Sequence, residues 1–275
     1  MPIELQARAQ PVVGGVARDE PVDEPSAVVL ERVSRTYAQA RAHRDRRPAG
    51  EGVQALADVS LHAAPGELVA VVGPSGCGKS TLLELICGLQ GPDTGRVECD
   101  PAVLMPQRDL LLAWLNAVDN AALALRIAGV GRREARRQAS ELFAELGLDG
   151  FEQARPHELS GGMRQRVAFV RTLLSGKPVL CLDEPFGALD AITRTEMQEW
   201  LTGALAREPR TVVLVTHDVE EAVLLADRVL VLSARPGRVV AELTLTATHP
   251  RGRLDAAVLD ARERALAALA AGGRT

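Results

Sequence analysis

The stretch Gly73-Pro74-Ser75-Gly76-Cys77-Gly78-Lys79-Ser80-Thr81 follows directly on the apolar run Leu68-Val69-Ala70-Val71-Val72 and precedes the helix-compatible segment Leu82-Leu83-Glu84-Leu85-Ile86-Cys87. A strand, a glycine-rich turn and a helix in that order, with every fixed position of the pattern filled, make a phosphate-binding loop. Glycines at 73, 76 and 78 let the backbone curl with its N–H groups inward, and the following helix N-terminus adds positive partial charge, so the loop cradles polyphosphate. Lys79 then reaches the terminal phosphates, and the Ser80 hydroxyl is available to Mg²⁺. A bare glycine-rich turn is the plainer reading, but it leaves that complete pattern unexplained. The chain is expected to bind a nucleoside triphosphate.

Composition narrows what such a site serves. At 275 residues the chain is long enough to bury roughly 75% of its unfolded surface. A net charge of -4 gives no global argument for nucleic-acid binding. No run approaches the ~18 apolar residues of a membrane span, and the N-terminus lacks the basic-then-apolar order of a secretion signal. A cytoplasmic protein is therefore expected. Cys77, Cys87, Cys99 and Cys181 form no Cys-x-x-Cys pair, so they read as reduced thiols filling small spaces.

Residues 1–25 hold four prolines, Gly14-Gly15 and an acidic cluster without apolar period, and are expected to be a disordered leader. Ala27–Val33 is a strand candidate that leads to Tyr37. That ring is either a half-buried strand residue or a platform for a base, since aromatics stack on bases generally. Arg41 to Gly52 reads as a polar surface loop, and Val59–Ala63 as an edge strand. Gly91–Gly95 is dense in turn residues. Ala102–Met105 is a short buried strand carrying Pro106-Gln107, where Gln107 by itself is a polar loop residue. A helical block then runs to about residue 176. Its clearest helix puts Ala135, Ala139, Leu142, Phe143 and Leu146 on one face behind an Arg-rich start. The block interrupts the strand-helix alternation and should form a lobe beside the nucleotide core.

Leu159-Ser160-Gly161-Gly162-Met163 opens another helix. Ser160 is either an ordinary N-cap or, with the bare N–H groups of Gly161 and Gly162, a second anion-binding helix start. Val179-Leu180-Cys181-Leu182 suits a strand buried on both faces, and it ends in Asp183-Glu184. Asp183 there would hold a metal, and Glu184 would polarise an attacking water as general base. Leu189-Asp190 leads into a helix whose Met197, Trp200, Leu201 and Leu205 are core packing. Thr211–Thr216 is another buried strand with His217 at its end, within reach of a γ-phosphate. Arg235-Pro236-Gly237-Arg238 reads as a hairpin turn, and Leu254–Leu269 as an Ala/Leu-rich helix.

The ordered set of the phosphate loop, Gln107, Leu-Ser-Gly-Gly-Met at 159–163, Val-Leu-Cys-Leu-Asp-Glu-Pro at 179–185, Leu189-Asp190 and Thr216-His217-Asp218 resembles the ATP-binding cassette family. The resemblance implies an α/β fold: a P-loop NTPase core with a mostly parallel sheet, an antiparallel β subdomain and a helical lobe. It spans an ATPase domain at 26–245, with the lobe at about 108–177 and a helical tail at 246–275. It implies ATP and Mg²⁺ as cofactors, with Ser80, Gln107 and Asp183 near the metal, Tyr37 under the adenine, Asp190 beside the nucleotide and His217 as the γ-phosphate switch. It also implies that two copies meet head to tail, so that Ser160, Gly161 and Gly162 complete the partner's site. Gly187 departs from the family pattern, where serine is common.

Met105–Leu111, Trp114-Leu115 and Val118-Asp119-Asn120 resemble importer ATPases of the nitrate, sulfonate and taurine group, whose relatives also serve thiamine precursors. The implied partners are membrane permease subunits and, through them, an extracytoplasmic solute-binding protein, with this chain peripheral at the cytoplasmic face of the plasma membrane. No nucleic-acid partner is expected. A monomeric P-loop kinase or GTPase is the rival from another class, and it has no use for Ser160-Gly161-Gly162. A cassette ATPase working on nucleic acid or ribosomes usually carries a coiled-coil insertion or a fused second cassette, and neither is present in this sequence.

Overall fold

The computed structural model describes residues 26–38 and 52–273; the leader expected at 1–25 and the Arg-rich stretch up to residue 51 lie outside them. Strands β1 (Val28–Tyr37) and β2 (Val53–Ala63) pair antiparallel. Next come β3 (Leu68–Val72), helix α1 (Lys79–Ile86), β4 (Thr94–Cys99) and β5 (Ala102–Met105). The lobe is made of α2 (Ala117–Ala121), α3 (Leu123–Ile127), α4 (Arg132–Glu145) and α5 (Gly161–Leu173). The chain then alternates through β6 (Val179–Asp183), α6 (Ala191–Arg207), β7 (Thr211–Thr216), α7 (Val219–Leu225) and β8 (Arg228–Leu232). It closes with β9 (Val239–Thr244) and α8 (Ala256–Gly272).

Two sheets result. One is three-stranded and antiparallel in the order β2-β1-β4; the other has six strands in the order β5-β6-β7-β3-β8-β9, antiparallel only at β8-β9. The large sheet is covered on both faces, which explains its continuous apolar strands. Leu68, Ala70 and Val72 pack into one core with Leu180, Leu182, Val212 and Leu214. Their neighbours Val69 and Val71 pack into the other with Val179, Cys181, Val213 and Val215. The first core continues into the helical lobe through Phe143, Phe169 and Phe186, whereas the second joins α1 to the antiparallel sheet.

Several elements differ in extent from the sequence reading. The edge strand expected at Val59–Ala63 begins at Val53. β4 was not anticipated: of Thr94-Gly95-Arg96-Val97-Glu98-Cys99 only Val97 and Cys99 are half-buried, against the second core, and two alternating positions are too short a pattern to read as a strand. β5 lies at the sheet edge, and only Met105 of its four residues is fully buried. Trp200 is half-buried, edge-on to Phe169 at 5.9 Å, with its indole N–H donating to Glu145 at 3.0 Å.

The lobe is pinned by a buried polar hub. Asn120 is fully buried; its Oδ1 accepts from Leu112 N at 2.7 Å, and its Nδ2 donates to the carbonyls of Leu112, Leu115 and Asn116. That side chain fixes the irregular segment between β5 and α2. Beside it, Asp119 binds Arg132 and Arg136 from the Arg-rich start of α4, so that start is tied to the hub as well as facing solvent. Replacing Phe143, fully buried where α4 meets the first core, with Ala should cost about 3–5 kcal/mol. Chemical denaturation followed by circular dichroism reads that loss as a lower midpoint.

Candidate nucleotide site

Parallel register sets the site. Val72 pairs with Thr216, Asp183 with Val215 and Met105 with Leu182. β3, β7, β6 and β5 therefore end at one sheet edge, where open α/β folds bind ligands. The residues just beyond those ends are Gly73, His217, Glu184 and Gln107. Glu184 and Gln107 line a cleft of about 480 Å³ together with Tyr37, Lys79, Ser80, Thr81, Asp183 and Arg235, among others, and His217 stands beside Glu184 at its margin. A cavity of about 580 Å³ between α6, α7 and residues 249–253 is larger and more apolar but holds none of these groups.

Within the phosphate loop, Gly78 stands at the N-cap of α1 with φ 106°. A Cβ there would come within 2.7 Å of Ala55 O, so only glycine allows both the left-handed backbone and the approach of β2. Lys79 is buried, and its ammonium donates to the carbonyls of Gly73 at 2.7 Å and Pro74 at 3.2 Å. The loop thus holds the lysine head at its own rim. Cys77 is buried beneath the loop, and burial pushes its thiol up, which keeps it neutral.

Asp183 is largely buried; burial raises its carboxyl above the usual range, while a hydrogen bond from the Ser80 hydroxyl opposes the shift. A hydroxyl and a carboxylate in contact, with the Gln107 amide nearby, form an all-oxygen set of the type that suits Mg²⁺. Glu184 has φ 48°, a left-handed conformation costing on the order of 1–3 kcal/mol for a non-glycine residue. Three contacts hold it there. Its N–H donates to Val215 O at 2.8 Å, its Oε2 accepts from Gln107 Nε2 at 2.8 Å, and its Oε1 lies 3.1 Å from His217 Nδ1. Gly187 leaves room for the serine common in the family, because a Cβ there would meet nothing closer than 3.4 Å.

Tyr37 ends β1 at the opposite side of the cleft. Its hydroxyl lies 3.2 Å from Thr81 Oγ1 and accepts from Gln90, and Arg35 stands 5.3 Å from its ring centroid. Two sequence-derived sites lie elsewhere. Ser160 accepts from Met163 N at 3.2 Å as the N-cap of α5, and Gly161-Gly162 open that helix away from the cleft. Asp190 caps α6, accepting from Ile192 N, Thr193 N and the Thr193 hydroxyl; the Thr193 bonds hold its carboxyl below the usual range. A single chain gathers the phosphate loop, Tyr37, Gln107, Asp183, Glu184 and His217, and leaves Ser160, Gly161, Gly162 and Asp190 outside.

The sequence reading missed Arg235, which it took only as part of a turn. The β8–β9 hairpin folds back on the phosphate loop, and Arg235 Nε donates to Gly76 O at 2.9 Å. Gly237 makes this possible: it exchanges hydrogen bonds with Ala55 and Ala57, and a Cβ on it would lie 2.2 Å from Cys77 O. Nothing local in the sequence marks that meeting of segments about 160 residues apart. The Arg-Pro-Gly-Arg turn beside a strand was its only trace.

The chain matches the ABC transporter family model over residues 56–187. It is 48% identical over 218 residues to the aliphatic sulfonates import ATP-binding protein SsuB 1 of Rhodococcus jostii, covering 77% of this chain and 85% of that one. It is 45% identical over 224 residues to the taurine import ATP-binding protein TauB of Burkholderia pseudomallei, covering 78% and 83%. This chain belongs to the ATP-binding cassette transporter ATPases. A third relative, the formylaminopyrimidine import ATP-binding protein ThiZ of Halalkalibacterium halodurans, is 47% identical over 62% of this chain and 70% of its own. Among solved structures, the cassette MJ0796, captured as a post-hydrolysis dimer with ADP and Pi, superposes with TM-score 0.71 at 30% identity, over 80% of this chain and all of that one. The cassette fold expected from the motifs is thereby established, and with it ATP hydrolysis coupled to transport.

Because a Cβ on Gly237 would press on the phosphate loop, Gly237→Ala should weaken ATP binding and lower the melting temperature. Gly91→Ala, where a Cβ meets nothing within 4 Å, should change neither. Nucleotide titration and thermal melts of the two variants make the comparison.

Proposed function

We propose that this cassette works as one of two copies that close on ATP beneath a membrane permease and power import of a small organic solute of the sulfonate, taurine or thiamine-precursor type. Lys79 and the loop N–H groups hold the β- and γ-phosphates, and Tyr37 stacks on the adenine. Ser80, Asp183 and Gln107 hold Mg²⁺, which offsets charge on the phosphates. Glu184 polarises the attacking water, His217 contacts the γ-phosphate, and Ser160, Gly161 and Gly162 of the second copy complete the site from the other side, next to Asp190.

The observation that carries this reading is the pinned carboxylate of Glu184. It sits at the end of β6, bracketed by Gln107 and His217 at the rim of the cleft that holds Lys79. A general base must be held at a fixed place near the reacting phosphate, and three contacts fix this one. The names of the sulfonate, taurine and formylaminopyrimidine import relatives support the solute class. That no described helix is long and apolar enough to cross a membrane agrees with a peripheral subunit.

The lobe supplies a route from the site to a permease. Arg164 on α5 donates to Asp109 at 3.0 Å, and Arg171 donates to the carbonyls of Asp109 and Leu110 at 2.7 and 3.0 Å. The segment after Gln107 is thus tied to the helix that Ser160 caps. The same segment exposes Leu110 at 56% and Trp114 at 71%, apolar surface suited to a permease helix.

Glu184→Gln keeps the shape of the side chain and removes its basicity. ATP turnover should fall by about 10²–10⁴-fold, while ATP-dependent dimerisation, followed by gel filtration, is preserved. Turnover at the wild-type rate would remove Glu184 from the role of base.

A further inference from the structure

Behind Glu184 and His217 lies a small, partly open cavity of about 50 Å³, lined on its far side by Arg194, Thr216 and Glu221. Glu221, on α7, is only 5% exposed. Its Oε2 accepts a long hydrogen bond, 3.4 Å from Gln198 Nε2, the Thr216 hydroxyl stands close to the carboxyl, and its Oε1 is buried with no hydrogen-bond donor within 3.5 Å. Arg194 Nε, on α6, is likewise buried and unpartnered. The rest of that guanidinium is engaged: one amino group donates to Leu189 O at 3.1 Å and the other lies 4.0 Å from Asp218 Oδ2. Buried polar atoms are nearly always paired, with protein or with ordered water. The cavity has room for roughly three water molecules, and both unpaired atoms belong to residues that line it.

We propose that Glu221 and Arg194 are positioning residues for hydrolysis. Water held between Glu221 Oε1 and Arg194 Nε ties the Leu189-Asp190 turn to His217 and Glu184, and that tie is productive while Glu221 is ionised. The inference rests on the reading of Glu184 as the base. Its logic is connectivity. Arg194 grips the turn before α6 through Leu189 O, Glu221 sits one helical turn past His217, and the cavity joins both to the pair that faces the phosphate. An ionised Glu221 pairs through water with the guanidinium; a protonated one donates a hydrogen bond and breaks that polarity.

The charge state falls in the physiological range. Burial pushes the carboxyl of Glu221 up to about 7, and Asp218 adds to the rise; the Thr216 hydroxyl, Arg194 and Gln198 act against it. The groups facing it are therefore Asp218 from its own helix, Arg194 and Gln198 from α6, Thr216 from β7, and Glu184 and His217 across the cavity. Because the folded-state pKa is raised, Glu221 becomes ionised only as pH climbs through about 7.

The test is the pH profile of ATP turnover by the full-length protein at saturating ATP. In the wild type the rate should fall about tenfold per pH unit below about 7, as for one required ionisation. Glu221→Gln, locked neutral, should turn over at least about tenfold more slowly at pH 8 and lose that acid limb, with ATP affinity unchanged. Arg194→Gln removes a cation that holds the Glu221 pKa down, so it should move the limb to higher pH; it also serves if Glu221→Gln fails to fold. A wild-type rate for Glu221→Gln at pH 8, an acid limb that survives in it, or an unmoved limb in Arg194→Gln overturns the proposal. An active Glu184→Gln would overturn the base itself. An inactive Glu184→Gln beside a wild-type profile for Glu221→Gln would overturn only the positioning role.

Discussion

In-register parallel pairing of β5, β6, β7 and β3 is the constraint from which the rest follows. β3, β6 and β7 are buried on both faces and hold the edge strand β5 in register, so none of the three can slip without exposing apolar side chains or unpairing buried backbone groups. With the register fixed, the carboxylates at 183 and 184, the imidazole at 217 and the amide at 107 emerge at one edge, around the loop that begins at Gly73. The strain at Glu184 is tolerable for the same reason. Its N–H is captured by Val215 O at the end of a strand that cannot move.

The chemistry of that edge was legible because it is written in short, contiguous motifs. Leu68–Thr81, Val179–Glu184 and Thr211–His217 each join a buried strand to the candidate site residues at its end, and period and punctuation are enough to find them. Features built by distant segments were not legible. Arg235 reaches Gly76 only because a hairpin folds across the loop, and Glu221 meets Arg194 only because α6 and α7 converge behind the sheet edge. β4 escaped for a different reason, since its half-buried face is only Val97 and Cys99, too short an alternation to stand out. Asn120 entered the sequence reading only through the Val-Asp-Asn resemblance to importer ATPases, and its burial as a four-bond hub gives that stretch a physical reason.

Ser160 illustrates how two readings of one residue can both hold. Its hydroxyl caps α5 within the chain, which is the ordinary structural role. A cap uses one of the orphan N–H groups at a helix start and leaves others free, so capping does not exhaust the anion-binding capacity of Gly161 and Gly162. The distance of these residues from Lys79's cleft is what a site shared between two copies requires. In the proposed two-copy arrangement, the arginine ties from α5 to the segment after Gln107 would give closure a mechanical path into the lobe.

The central claim is that each ATP is completed by a second copy, and mixing two inactive variants tests it directly. Lys79→Ala lacks the phosphate-holding lysine, and Ser160→Arg blocks the signature helix. A mixed dimer has one site in which both defects coincide and one in which neither is present. ATPase activity should therefore appear when the two purified variants are combined, toward half the wild-type rate per mixed dimer. Full activity of Ser160→Arg alone, or no recovery on mixing two folded variants, would contradict a site built from two chains.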